Sequence, residues 1–167
     1  MKTLYFNRHA KSDWSDHTLS DFDRPLNKRG LRDAPNMAER LLKRKERIDV
    51  FISSPANRAI STARIMANGF GYTSKEIVQV ERLYLPSIKD FLVSIGEISE
   101  GFSSAILFAH NPGITDVVEY LTNEYVGNVP TCGIIKISFA QAGRWNEISA
   151  GTGSLEFFDY PKKEFGQ

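Results

Sequence analysis

One cysteine in 167 residues, Cys132, excludes an internal disulfide and any zinc scheme built on several thiolates. Charge of one sign is also missing. With 21 Lys and Arg against 20 Asp and Glu the formal net charge is +1, so nothing global draws the chain to nucleic acid or an anionic membrane, and any basic site has to be local. Long hydrophobic runs are absent too. The stretch from Met1 to His9 has a run of three apolar residues, Leu4, Tyr5 and Phe6, too few for a signal-peptide core or a membrane span. These absences predict a cytoplasmic chain with neither a nucleic-acid nor a membrane partner. No Pro/Gly/Ser-rich linker and no long repeat divides the chain, so residues 1–167 are expected to form a single domain. With 41% hydrophobic and 25% charged residues, the composition is that of a folded globular protein.

Several reaction classes fall for want of one residue. No glycine precedes Lys-Ser or Lys-Thr, which excludes a Walker loop. Ser138 stands six positions after Cys132, where a cysteine-dependent phosphatase needs arginine, so the thiol is expected to be structural. Asp21-Phe22-Asp23 has the paired aspartates of a haloacid-dehalogenase-like site, but Pro25 follows where threonine or valine belongs and no apolar strand precedes. Carboxylates beside the histidines are too sparse for a metallohydrolase, and no metal or other cofactor is expected.

Apolar runs bounded by turn residues predict strands at Thr3 to Asn7, Val50 to Ser53, Ile77 to Val80, Ala105 to Ala109 and Ile134 to Phe139, and a last one near Trp145 to Ser149. Leu31, Ala34, Met37, Ala38, Leu41 and Leu42 recur at helical spacing. Because proline is tolerated only in a first turn, Pro35 predicts a short turn at 28–31 and a main helix from Asp33 to Glu46. Further helices are expected at 56–68, 88–96 and 113–121, and an irregular aromatic tail from Gly151 to Pro161. Alternating strands and helices predict an α/β fold, a three-layer α/β/α sandwich around a mostly parallel sheet.

In such sheets ligands bind at the carboxyl ends of the strands, and three of those ends are chemically loaded. Leu4-Tyr5-Phe6 runs into Asn7-Arg8-His9, Ile106-Leu107-Phe108-Ala109 runs into His110-Asn111-Pro112, and Val50-Phe51-Ile52 runs into Ser53-Ser54-Pro55-Ala56-Asn57-Arg58. Arg58 is expected in the first turn of a helix capped by Ser54 with Pro55 at its first position, and Asn111-Pro112 repeats that cap. Helix starts flanked by arginine suit an anion, with phosphate the obvious guest. Taken singly, each histidine or arginine is an ordinary loop residue. Two of the chain's three histidines at one crevice edge with Arg8 and Arg58 are not. His17, amid Asp13, Ser15 and Asp16, reads as a loop residue.

Arg8-His9-Ala10-Lys11-Ser12-Asp13-Trp14 resembles the Arg-His-Gly signature of the histidine phosphatase superfamily, the phosphoglycerate-mutase-like group, in the variant of the SixA-type phosphohistidine phosphatases. The likeness continues through Asp23-Arg24-Pro25-Leu26-Asn27-Lys28-Arg29-Gly30, Ser53-Ser54-Pro55-Ala56-Asn57-Arg58 and His110-Asn111-Pro112-Gly113 to Gly151-Thr152-Gly153-Ser154-Leu155. Ala10 replaces the signature glycine, as in the SixA-like branch.

The resemblance implies a phosphoglycerate-mutase-like fold and a metal-independent phosphatase with no cofactor. It implies that His9 is the nucleophile, that Arg8 and Arg58 bind the phosphoryl oxygens and that His110 completes the pocket. Two guanidiniums near His9 should depress its pKa and keep it unprotonated. Glu81, in Glu81-Arg82-Leu83-Tyr84, resembles the mutase branch's proton donor, and Ser15 stands where that branch has a phosphate-contacting asparagine. Glu81→Gln is accordingly expected to slow phosphomonoester cleavage far more than phosphohistidine cleavage, whose imidazole leaving group needs no proton. Only 51 residues separate Arg58 from His110, too few for a lid, which favours a phosphorylated protein such as a phosphotransfer domain as partner. The alternatives are a broad small-molecule phosphomonoesterase of the same superfamily and a non-catalytic phosphate- or phosphoprotein-binding module.

Overall fold

A computed structural model describes residues 1–164. Its sheet has six strands: β1 (Lys2–Arg8), β2 (Val50–Ser53), β3 (Val78–Gln79), β4 (Ser104–Ala109), β5 (Ile134–Phe139) and β6 (Ser154–Asp159), in the order β3-β2-β4-β1-β5-β6. The pairs β3/β2, β2/β4 and β4/β1 are parallel, and β1/β5 and β5/β6 are antiparallel, so the sheet is mixed with a parallel majority. Helices α1 (Lys28–Lys43), α2 (Asn57–Gly69), α3 (Ile88–Gly96) and α4 (Gly113–Thr122) flank it.

Side chains alternate across the sheet, which gives each face its own core. Tyr5, Phe51, Ile106 and Phe108 meet Ala34, Met37 and Leu41 of α1 and Ala63 and Met66 of α2. Leu4, Phe6, Ile52 and Leu107 meet Phe91 and Ile95 of α3 and Val117 and Leu121 of α4. Strands β1, β2 and β4, with helices on both faces, therefore read as nearly unbroken apolar runs.

Four sequence expectations are corrected. First, α1 is one helix through Pro35, which lies on its solvent face, so the bond that proline cannot make with the Leu31 carbonyl falls where water replaces it. Leu31 and Leu42, expected on its apolar face, are exposed. Second, Trp145–Glu147 is a single 3-10 turn rather than a strand; the Trp145 indole is buried and donates Nε1–H to the Ser99 carbonyl at 3.1 Å. Third, the tail is not irregular: Ser154–Asp159 pairs antiparallel with β5 as an edge strand. Its half-burial and the register shift opposite Lys136 and Ile137 blur the alternation that marks a strand. Fourth, α2 starts at Asn57, with Ala56 as its N-cap and no side-chain cap.

Gly30 ties α1 to the loop after β1. The Asn27 side chain caps the Gly30 N–H at 2.9 Å, and a Cβ at Gly30 would lie 2.3 Å from the backbone oxygen of Lys11. Gly30→Ala should therefore destabilise the fold by about 1–3 kcal/mol through overpacking against backbone, read as a lower urea midpoint at unchanged slope.

Candidate active site

The strand register builds the site. Arg8 of β1 pairs with Ala109 of β4, and Ser53 of β2 with Phe108. The residues just past those ends, His9, His110 and Ser54, are brought side by side. His9 N donates to the Ala109 carbonyl at 3.2 Å, and Ser54 N to the Phe108 carbonyl at 2.9 Å. The His9 and His110 rings lie 5.3 Å apart between centroids.

A local hydrogen bond decides the tautomer of His9. His9 Nδ1 lies 2.7 Å from the Ala10 carbonyl, an acceptor only, so Nδ1 carries the proton and Nε2 keeps its lone pair. Arg58 Nε donates to that Nε2 at 3.3 Å. His110 Nε2 is 2.8 Å from Ser54 Oγ, which already accepts the Ala56 N–H at 3.2 Å. Ser54 was expected to cap α2; its Oγ, with a proton and a second lone pair still to use, instead holds His110 Nε2 and fixes the orientation of that ring.

Around these rings lies a cavity of about 220 Å³ lined by Arg8, His9, Arg58 and His110, together with Arg24, Ser12, Trp14, Lys11, Leu85, Asn111 and Thr131. His110 Nδ1, Arg8 Nε and Arg24 Nε are buried here without a protein partner. Three guanidiniums gathered around one small cavity are the pattern of a site for an anion. Arg24 stacks on the Trp14 ring at 3.5 Å and donates to Ser12 Oγ.

Asp21 organises the arginines from the rim. Its carboxylate accepts from Arg58 at 3.0 Å, Arg24 at 2.9 Å and the Tyr84 hydroxyl at 2.7 Å, and its carbonyl accepts from Arg58 at 2.6 Å. Burial works against the Asp21 charge, but these three donors outweigh it and hold the carboxyl well below its ordinary range. The Tyr84 hydroxyl, bonded to that carboxylate, is pushed up from its ordinary value and keeps its proton.

Both imidazoles of the cavity are held neutral. Burial is the main cause of the fall of His9 to about 3; Arg58, Arg8 and Arg24 add to it, while the Ala10 carbonyl opposes it. The arginine effect expected from sequence is therefore the smaller one. His110 also falls to about 3, through burial first and then His9 and Arg58. Two consequences follow for pH. kcat/KM should show no acid limb near the ordinary imidazole value of 6.5 and stay flat down to about pH 5. Stability behaves differently. Unfolded imidazoles take up protons as pH falls below 6.5 while the folded ones resist until about 3. The stability they carry is thus complete above 6.5 and lost progressively as pH falls toward 3, which urea midpoints at pH 7 and 4.5 would register.

Two predicted residues lie elsewhere. Glu81 is exposed on the 3-10 turn Glu81–Leu83 and does not line the cavity. The segment after β3 does reach the site, but with Tyr84, whose ring lies 5.5 Å from that of His110, and Leu85 rather than with Glu81. Ser15 is exposed, its N–H taken by Asp13 Oδ1 at 2.7 Å, and the serine in the cavity is Ser12. Arg24, Asp21, Tyr84 and Ser12 were missed. Arg24 and Ser12 stand inside motifs that carried the resemblance, but Asp21 and Tyr84 become neighbours only on folding, 63 residues apart. Cys132 is buried, and burial, then Asp33, push its thiol up, which removes it as a nucleophile.

Comparison with known proteins agrees with this geometry. The model of the histidine phosphatase superfamily (branch 1) matches residues 4–84, a span containing Arg8, His9, Arg24 and Arg58. An uncharacterised protein of Mycobacterium leprae is 29% identical over 93% of this chain and 99% of its own length. Among solved structures, the candidate phosphohistidine phosphatase SixA of Agrobacterium tumefaciens is 26% identical, covers 96% of this chain and 98% of its own, and superposes with a TM-score of 0.77. The protein histidine phosphatase SixA solved with tungstate shares the fold at a TM-score of 0.80 and 20% identity, over 95% of this chain and 97% of its own. The chain is thus similar to the histidine phosphatase superfamily over residues 4–84 and to SixA phosphatases in its overall fold.

Proposed function

We infer that this phosphatase removes the phosphoryl group from phosphohistidine on a partner protein, with His9 as its nucleophile. The observation that carries this reading is that, among the described residues, no carboxyl lines the cavity to protonate an alkoxide. Asp21, paired with Arg58 and Arg24, is held ionised, the Tyr84 hydroxyl donates its hydrogen bond to Asp21, and Glu81 lies outside the cavity. A phosphorylated imidazole whose second nitrogen bears a proton leaves as neutral imidazole and asks for no acid.

His9 Nε2 attacks phosphorus as the P–N bond to the leaving imidazole breaks, giving phospho-His9 and a neutral imidazole. Arg8, Arg58, Arg24 and the His110 ring surround the equatorial oxygens, where negative charge accumulates in the transition state. Water then attacks phosphorus, returning His9 and releasing inorganic phosphate, with the water proton leaving on phosphate. The size of the cavity points the same way. At about 220 Å³ it is smaller than the roughly 300–1,000 Å³ of sites that enclose a small ligand, and fits a phosphoryl group presented from outside.

Rates measured side by side on a phosphohistidine protein and a panel of small monoesters test the reading: kcat/KM should favour the phosphohistidine protein by at least about 10²-fold. A sugar phosphate cleaved near 10⁶ M⁻¹s⁻¹, a value typical of a dedicated substrate, with phosphohistidine ignored, would replace it with the phosphomonoesterase alternative. Glu81→Gln should leave both rates within about twofold, since a solvated carboxylate outside the cavity contributes little to proton transfer.

A further inference from the structure

The cationic cavity is bordered by an apolar rim that a phosphoryl group alone does not use. Trp14 is 64% exposed, Leu85 59%, Leu19 38% and Phe22 37%. They are contiguous. Trp14 and Leu85 line the phosphoryl cavity; Trp14 and Leu19 line a second hollow that shares Arg24 with it and reaches Asp21. Phe22 packs edge-on against Tyr84, the residue before Leu85, at 5.1 Å between centroids. Large apolar side chains gathered at one place on a surface mark an interaction site, and tryptophan and phenylalanine are the residue types that anchor protein interfaces.

The rim is held rigidly outward. Asp13 accepts the Ser15 N–H, Asp16 accepts both the N–H and the hydroxyl of Thr18, and Ser20 accepts the Asp23 N–H, so the loop carrying Trp14, Leu19 and Phe22 is fixed by its own polar side chains. Leu85 has φ of 48°, left-handed backbone that a leucine adopts only against a steric penalty. A strained position that exposes an apolar side chain at the mouth of a polar site is maintained for contact rather than for folding. The Tyr84 bond to Asp21 and the Phe22–Tyr84 contact lock the two loops together.

We propose that Trp14, Leu19, Phe22 and Leu85 form the docking surface for a folded protein whose phosphohistidine projects from an apolar patch. The occupant follows from charge complementarity with the cavity. Arg8, Arg24 and Arg58 demand an anion at the centre, and the rim demands apolar atoms immediately around that anion, a combination that free phosphate and sugar phosphates lack and a phosphorylated protein surface has. The inference rests on the reading under Proposed function.

The test compares kcat/KM on two substrates, a phosphotransfer domain phosphorylated on histidine by phosphoramidate and free phosphohistidine, for the native chain, Leu19→Ser and Leu85→Asn. Asparagine is chosen at position 85 because it tolerates left-handed backbone. Each variant should lose at least about tenfold more on the protein than on free phosphohistidine, a coupling of the size expected for one interface anchor. For Leu19→Ser the rate on free phosphohistidine should stay within about twofold of native, which also shows that the variant is folded. Equal losses on both substrates, or no loss on the protein, would overturn the docking surface while leaving the phosphohistidine reading intact. A native chain that cleaves neither substrate would overturn both.

Discussion

Replacing His9 by alanine is expected to abolish turnover, with kcat falling on the order of 10⁵-fold, because the covalent route disappears with the nucleophile. Binding should behave otherwise. The guanidiniums do not depend on the His9 ring for their charge or their donors, so the variant should still bind orthophosphate. Steady-state rates together with calorimetric titration of phosphate separate the two effects. Retained turnover in His9→Ala would mean that the neutral, Ala10-tethered imidazole is a bystander. An inactive native chain that binds phosphate would fit the binding-module alternative.

Arg58→Ala is expected to lower kcat by about 10³-fold, the upper end of the loss for one fixed transition-state donor. The larger figure is warranted because Arg58 does three things at once. It is buried, donates Nε to His9 and engages both the carbonyl and the carboxylate of Asp21. Removing it takes a cation from the phosphoryl oxygens and leaves Asp21 with Arg24 and Tyr84 only. Arg58→Lys should recover little, since one ammonium cannot reproduce three donors in a planar fork. Pre-steady-state rates of phosphoryl transfer would separate this effect from any change in phosphate release, and a loss under tenfold would contradict the assignment.

Much of the site was legible because the sheet made it so. Leu4-Tyr5-Phe6 and Ile106-Leu107-Phe108-Ala109 are the apolar signature of parallel strands covered on both faces, and residues that follow such strands share one crevice edge. His9 and His110 fall together for that reason, with Arg8 paired to Ala109 as the register that fixes it. Glu81 lies outside the cavity for a local reason: the segment after β3 turns through the 3-10 turn Glu81–Leu83, and the side chains it brings to the site are Tyr84 and Leu85, a phase that the sequence pattern does not reveal. Asp21 was hidden for another reason. Its role depends on three donors from positions 24, 58 and 84, and no local pattern encodes their meeting. The last strand escaped because half-buried edge strands carry the weakest alternation, and Pro35 misled because the proline rule concerns helix interiors in general, whereas its position faces solvent.

Rapid acid-free quenching of a single turnover, with ³²P-labelled phosphohistidine protein as substrate, reaches the central claim most directly. The label should appear transiently on the enzyme, stable to alkali and lost in acid as a phosphoramidate is, and peptide mapping should assign it to His9. Release of labelled phosphate with no enzyme-bound phase, or a label carried by any other residue, would contradict the account.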